Sequence, residues 1–305
     1  MKTAVLLAGF GGPETPAEVR PFIESVAHGA SIPLERLEAV ARHYEKIGGF
    51  SRYNEMTFKQ RDELARRFQK KDLPLEVFAG FMHSHPSFKQ VFSDMKKNSV
   101  KRALVFILST FRSYPSFDRY RERLDEARKA AGAEKIEIEY ASPFYDHPLY
   151  IDAVAQRVSD AVQIIPESER SKTHFIFTAH SIPVDWAKKS DYDVEFRQSA
   201  SFVAKKIGLG SWDAAYQSRS GPPNYPWLEP DVNEAIRNLP LGEYACVVLV
   251  PIGFLCDNAE VLYDLDIEAK KTSEQCGLRY SRALTVMDHP SFIEMIVSLI
   301  KQRSY

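Results

Sequence analysis

The sequence predicts an α/β protein built as two doubly wound domains, each a parallel sheet flanked by helices. Three observations predict it. Short apolar runs recur between amphipathic helical stretches, the signature of βαβ units. Several of the runs, such as Val247 to Val250, are continuous rather than alternating, as strands buried on both faces must be. The alternation passes through one set of strands, meets a polar stretch at Pro166 to Lys172, and resumes. Domains are therefore drawn at 1–150 and 151–305, with the link between Ala141 and Lys172. The last helix, about 290–303, is a candidate to pack back on the first domain. With 305 residues, 44% of them hydrophobic, the chain can fill two cores.

In open α/β sheets ligands bind beyond the carboxyl ends of the strands, so the residues just past each strand carry the functional signal. Ala4 to Ala8 leads into Gly9-Phe10-Gly11-Gly12-Pro13, a turn where backbone can approach a ligand closely. It is not a dinucleotide fingerprint, because the Gly-x-Gly-x-x-Gly spacing fails and Pro13 interrupts the helix start. Helical patterns follow at Val19 to Val26, Leu34 to Glu45 and Thr57 to Gln69. Leu75 to Gly80 leads to Phe81-Met82-His83-Ser84-His85-Pro86, with two histidines near the edge. Ala103 to Leu108 leads to Ser109-Thr110-Phe111-Arg112-Ser113-Tyr114. Hydroxyls and an arginine there suit a carboxylate, although capping of the next helix, Phe117 to Ala131, explains most of them without a ligand. Ile136 to Tyr140 is the next strand and Leu149 to Val162 the next helix.

In the second half Phe175 to Ala179 leads to His180-Ser181-Ile182-Pro183, and the helical pattern Glu195 to Lys206 comes next. Trp212 to Gln217 leads to Ser218-Arg219-Ser220-Gly221-Pro222-Pro223 and then Trp227. Ala245 to Val250 ends in Pro251 and Gly253, and an acid-rich helical pattern starts after Asp257. At helical spacing Glu260, Asp264 and Glu268 fall in one row along the surface. Such like charges repel by about a few tenths of a kcal/mol per pair, so the row is either a solvated face or one that a cation visits. His180 and Glu260 are expected to face each other across a cleft between the domains.

Composition excludes several classes. Basic residues number 40 against 41 acidic, a net charge of -1 with no basic arm, which argues against a nucleic-acid partner. The apolar part of the N-terminus is too short for a secretory signal and no run reaches the roughly 20 residues of a membrane span, so a cytoplasmic protein without a transmembrane anchor is expected. Cys246, Cys256 and Cys276 lack paired spacing and read as free thiols, with no [2Fe-2S] cluster expected.

A histidine and a carboxylate converging on a cleft mean a metal site or acid-base work. No His-Glu-x-x-His spacing suggests zinc, no Gly-x-Ser-x-Gly suggests a serine hydrolase, and no Walker loop is present. What remains, a histidine, a run of carboxylates and many aromatics, suits a large flat apolar ligand and a divalent cation.

Along nearly its whole length the chain resembles the ferrochelatases. The matching stretches are Leu6 to Glu14, His43 to Ser51, Ser109 to Tyr120, Thr178 to Pro183 (TAHSIP), Tyr216 to Pro230 (YQSRSGPPNYPWLEP) and Val250 to Glu268 (VPIGFLCDNAEVLYDLDIE). The wording is most similar to the short, soluble bacterial branch that uses coproporphyrin III. The resemblance implies two Rossmann-like, chelatase-type domains with the active-site cleft between them, and Fe2+ insertion into a porphyrin in haem biosynthesis, coproporphyrin III being favoured over protoporphyrin IX. It implies His180 and Glu260 as the catalytic pair, with His180 accepting a proton, delivering iron or both, and Asp264 and Glu268 continuing the metal path. Mutual repulsion is expected to raise the pKa values of Asp264 and Glu268. Porphyrin contacts are expected from Phe10, Gly11, Arg52, His83, Ser109, Phe111, Arg112, Tyr120, Gln217, Ser218, Arg219 and Trp227. Iron is a substrate and no tightly bound cofactor is expected; partners are porphyrin, ferrous iron and transient haem- or iron-transfer proteins.

The chain departs from that pattern in places. Phe10 stands where some relatives carry a metal-touching Tyr, and Asn258 where many carry a His. The loop Ala27 to Ile32 lacks the arginines that coproporphyrin-type relatives often use for propionates, which leaves Arg52, Arg112 or Arg219, with His83 as a partial substitute or a helix cap. A porphyrin- or haem-binding relative that has lost catalysis therefore stays open beside the enzyme, as does a chelatase for another tetrapyrrole.

Overall fold

The computed structural model describes residues 2–27, 34–73, 75–220, 225–240 and 242–304. It divides into two units, the first holding Met1–Ser109, Tyr114–Pro143 and Met287–Tyr305, the second Thr110–Ser113 and Phe144–Val286.

In the first unit β1 (Thr3–Gly9), β2 (Glu76–Phe81), β3 (Arg102–Ile107) and β4 (Glu137–Tyr140) form a parallel sheet in the order β2-β1-β3-β4. Its helices are α1 (Pro16–Ala27), α2 (Leu34–Lys46), α3 (Tyr53–Lys70), α4 (Phe88–Lys97) and α5 (Arg119–Ala130), the last entered through a π-helix at Tyr114–Asp118. Leu6, Ala8, Val105 and Ile107 on one face of the sheet pack with Phe88, Phe92 and Met95 of α4 and Leu124 of α5. A capping box of Ser87 and Gln90 starts α4. The helix cap therefore comes from Ser87 and not from His83.

The second unit repeats the plan. β5 (Thr173–His180), β6 (Asp213–Gln217), β7 (Cys246–Val250) and β8 (Arg279–Arg282) form a parallel sheet in the order β6-β5-β7-β8. Around it lie α6 (Pro148–Gln163), α7 (Glu167–Arg170), α8 (Val184–Ala187), α9 (Tyr192–Lys206), α10 (Val232–Arg237) and α11 (Lys270–Gln275). The chain enters this unit ahead of residue 151: Phe144 and Tyr150, both in it, meet ring to ring at 5.4 Å. α12 (Pro290–Ser304) belongs to the first unit, where Glu294 pairs with Arg67 and Lys71 and Phe292 meets Phe106 of β3.

Two elements differ from the sequence reading. β8, Arg-Tyr-Ser-Arg, has no apolar run to announce it, because an edge strand needs no doubly buried faces. Residues Val261–Ala269 wind as a π-helix rather than an α-helix, with i→i+5 in place of i→i+4 bonds.

In both sheets the second strand lies to one side of the first and the third to the other. Each sheet thus has a topological switch point between its first and third strands, the place where open α/β sheets bind ligands. Among the described residues no helix is long and apolar enough to cross a membrane.

Candidate active site

At the switch point of the second sheet, β5 ends in His180 and β7 ends in Val250. The turn that leaves β7 folds directly onto β5. Gly253 N–H donates to the Thr178 carbonyl at 3.1 Å, and a Cβ on Gly253 would stand 2.8 Å from Ala179 Cα. Only glycine allows that approach of backbone to backbone. The chain then delivers Glu260 to His180, with Nε2 and Oε1 3.5 Å apart and 30% and 44% of the two side chains open. Both residues belong to the second unit, as their place in the second half of the chain implies, and the pair forms within that unit.

His180 is oriented from both ends. Its Nδ1 lies 2.5 Å from the Ser181 carbonyl, and its own carbonyl accepts from Tyr192 OH at 2.8 Å. A carbonyl can only accept, so Nδ1 carries a proton, and Nε2 is the nitrogen left to take up and release one beside Glu260. Enclosure by protein pulls the His180 pKa down, but the charge and hydrogen bond of Glu260 and the Ser181 carbonyl outweigh it and the net shift is upward. For Glu260 burial pulls up while His180, together with a hydrogen bond from Asn258 (3.4 Å), wins in the other direction. Both shifts favour an imidazolium-carboxylate pair.

Beyond Glu260 the acidic row runs along the π-helix. Asp264 accepts from Ser218 Oγ, which a left-handed backbone (φ 64°) aims at it. Burial first, then the Glu260 and Glu268 charges, push its carboxyl up to about 7 against the lowering effect of Ser218. The rise expected for Asp264 is present, with burial ahead of carboxylate repulsion as its cause, whereas Glu260 moves down because His180 compensates it. Among the described residues no group of three or more His, Cys, Asp or Glu converges on a point that could hold a metal ion. Carboxylates strung along a helix suit a cation held weakly in passing, not a cage.

The remaining sequence candidates fall in different surroundings. Gln217 is buried beneath the pair, accepting from Thr178 (2.9 Å) and donating to the Glu260 carbonyl (3.4 Å). Trp227 bridges Pro183 and has a buried indole N–H without a partner among the described residues. Arg219 donates to the Tyr225 carbonyl. Phe111 is only 2% exposed, packed against Tyr192 and Phe196, which leaves no ring face for a ligand. Arg112 is held by buried Glu195 (2.5 Å) and by Asp191 (3.0 Å), so its charge is already compensated. In the first unit Phe10 and Gly11 leave β1; Phe10 keeps 36% exposure and packs against the His83 ring at 4.7 Å with the planes tilted by 53°, and His83 contacts Ser25 Oγ at 3.1 Å. Burial, then Arg119 and Arg123, lower the His83 pKa to about 4, which keeps it neutral. Arg52 pairs with Glu55, Ser109 sits half-buried past β3, and Tyr120 lies in the core against Phe88. The loop at 28–33 and Gly221 to Asn224 lie outside the described residues.

A family model described as Ferrochelatase matches residues 2–304. The chain belongs to the ferrochelatase family. It is 40% identical over 299 residues to a protein of Rhodopirellula baltica named Ferrochelatase, covering 98% of this chain and 85% of that one. It is 38% identical over 306 residues to the Coproporphyrin III ferrochelatase of Mycolicibacterium smegmatis, covering 98% and 89%. Among solved structures, the sirohydrochlorin chelatase SirB of Bacillus subtilis subspecies spizizenii with cobalt superposes with a TM-score of 0.58 at 13% identity, over 99% of this chain and 95% of that one. SirB from Bacillus subtilis with Fe3+ gives 0.61, also at 13% identity and over the same shares. At that identity these likenesses concern the fold.

For a ferrochelatase, some residues that the sequence reading passed over stand out. Tyr192 opens α9 and reaches back to the His180 carbonyl; no local pattern signals such a contact. Asn54, 1% exposed on α3, pairs its amide with both N–H and C=O of Gly12 and so fixes the β1 exit. Asn54 stands in the first turn of α3, where an asparagine is unremarkable, so nothing local marked it. Arg119 is half-buried and has no ion pair or hydrogen bond among the described residues, while its charge reaches His83.

Proposed function

We propose that this chain inserts Fe2+ into coproporphyrin III as a step of haem biosynthesis, acting in the cytoplasm with transient donors of iron and acceptors of haem. The observation that carries the reading is the His180–Glu260 pair at 3.5 Å, set at the switch point with both side chains partly open. Metal insertion removes two pyrrole protons and admits a divalent cation. An imidazole whose Nδ1 is committed to the Ser181 carbonyl can take a proton at Nε2, and the carboxylate beside it stabilises the imidazolium formed. Asp264, with a pKa of about 7, both accepts and releases protons near neutral pH, so protons can leave along the row toward Glu268. The same N and O donors suit ferrous iron on its way in.

Coproporphyrin carries four propionates, and their counter-charges are a separate question. Arg112 and Arg52 are paired within the protein. We assign Arg119, whose charge reaches the His83 ring, as a propionate anchor of the first unit. The choice of coproporphyrin is supported by the name of the Mycolicibacterium smegmatis relative. Retention of both His180 and Glu260 favours turnover over a binding role.

Anaerobic Fe2+ insertion by purified protein, followed by absorbance with coproporphyrin III and protoporphyrin IX in parallel, tests the reading. Faster loss of the coproporphyrin spectrum is expected. A spectral shift on porphyrin binding, with no insertion in either cuvette, would replace the enzyme with a binding protein.

A further inference from the structure

Arg282, the last residue of β8, is a buried cation outside the catalytic pair, with 7% of its side chain exposed. All five of its guanidinium N–H groups are used. Nε and Nη2 donate to the two oxygens of Asp266 at 2.7 and 2.8 Å. Nη1 and Nη2 donate to the two oxygens of Asp257 at 3.1 and 3.2 Å, and Nη1 also donates to the Ala283 carbonyl at 3.1 Å. The same carboxylates are completed by Thr285 N–H on Asp257 (3.1 Å) and Tyr280 OH on Asp266 (3.3 Å). A planar fork of five donors is the only side chain that can hold two carboxylates in this way.

The two carboxylates bracket the reacting end of the acidic helix. Asp257 precedes Asn258 and Glu260, whereas Asp266 lies within the π-helix just past Asp264. π-Helical turns are rare and occur mostly as single turns, yet here nine residues, Val261–Ala269, wind that way. Glu260, Asp264 and Glu268 follow one another along this stretch, held individually by His180 at Glu260 and Ser218 at Asp264, while Arg282 ties the entry of the stretch to its middle. Arg282 is tied to the sheet by its register with Leu249 of β7. It therefore connects a rigid strand to both the entry and the middle of the helix.

We propose that Arg282 is a positioning residue for metal insertion, clamping Asp257 to Asp266 so that the acidic helix keeps the winding and depth that present Glu260 to His180. The proposal rests on the reading of His180 and Glu260 as the insertion pair. Arg282 does not touch the substrate; it acts through Glu260.

The test compares full-length protein with two variants in anaerobic Fe2+ insertion, with porphyrin affinity measured separately by fluorescence quenching. Arg282→Lys keeps the charge but cannot span both carboxylates. The triple variant Arg282→Met, Asp257→Asn, Asp266→Asn removes the clamp without leaving buried charge unpaired, which keeps the proposal testable where the single variant fails to fold. The expected result in both is a kcat lowered by at least about tenfold, with porphyrin Kd and KM within about twofold of the unaltered enzyme. A folded variant that retains kcat while only its Tm falls would make Arg282 purely structural and overturn the proposal. Failure of the unaltered protein to insert iron would instead overturn the underlying reading, and the proposal with it.

Discussion

His180 Nε2 faces Glu260 Oε1 at 3.5 Å while His180 Nδ1 is committed to the Ser181 carbonyl, so the imidazole has one nitrogen for orientation and one for chemistry. Glu260→Gln keeps the shape of the partner and removes its charge. Insertion is expected to fall by about 10²- to 10⁴-fold, with porphyrin binding unchanged in a quenching titration. Normal turnover of this variant would show that the carboxylate is not part of the reaction.

Asp264 makes the enzyme sensitive to pH in two ways. Its pKa is raised from 3.8 to about 7 in the folded chain. Between those values the unfolded chain has lost a proton that the folded chain retains, so stability falls as pH rises through that window. Asp264→Asn abolishes the ionisation. Its melting temperature should exceed that of the unaltered protein by a margin that grows by a few degrees between about pH 5 and about pH 8, while the limb of the rate profile near pH 7 disappears. Parallel calorimetry at the two pH values reads the difference, and identical melting at both would refute the assignment.

Gly253→Ala should separate position from chemistry. The added methyl would meet Ala179 Cα at 2.8 Å, and neither backbone can yield without moving the turn. A cost of about 1–3 kcal/mol is expected. Because the displaced turn leads to Glu260, kcat should drop more than porphyrin affinity; a variant of full activity and full stability would mean that the turn relaxes freely.

Arg119→Met probes the propionate assignment. Loss of a charge-assisted contact to a carboxylate should raise KM for coproporphyrin III by about tenfold, a difference near 1.4 kcal/mol, with kcat and protoporphyrin IX kinetics little altered. An unaltered KM for coproporphyrin III would refute the assignment, and equal effects on both porphyrins would place Arg119 at a propionate the two share.

Much of this was legible in the chain itself. β1, β3, β5, β6 and β7 announce themselves because burial on both faces leaves a local mark, and His180 is conspicuous because it closes one of these runs. The acidic spacing of Glu260, Asp264 and Glu268 is likewise a property of the sequence. Neighbours distant in the chain were not legible. Arg112 reads as a free cation until Glu195, in α9, is found to hold it, and Tyr120 and Phe111 read as ligand contacts until their rings prove to be core.

By itself, then, the sequence determined two parallel sheets, the strand end that carries His180 and the set of carboxylates beyond β7, because burial and residue order act locally. Tertiary structure alone decided the π winding of Val261–Ala269, the high pKa of Asp264 and the enclosure of Arg282 between Asp257 and Asp266. Each of these depends on groups brought together from separate strands and helices, where desolvation and short-range charge act on distances that residue spacing does not encode.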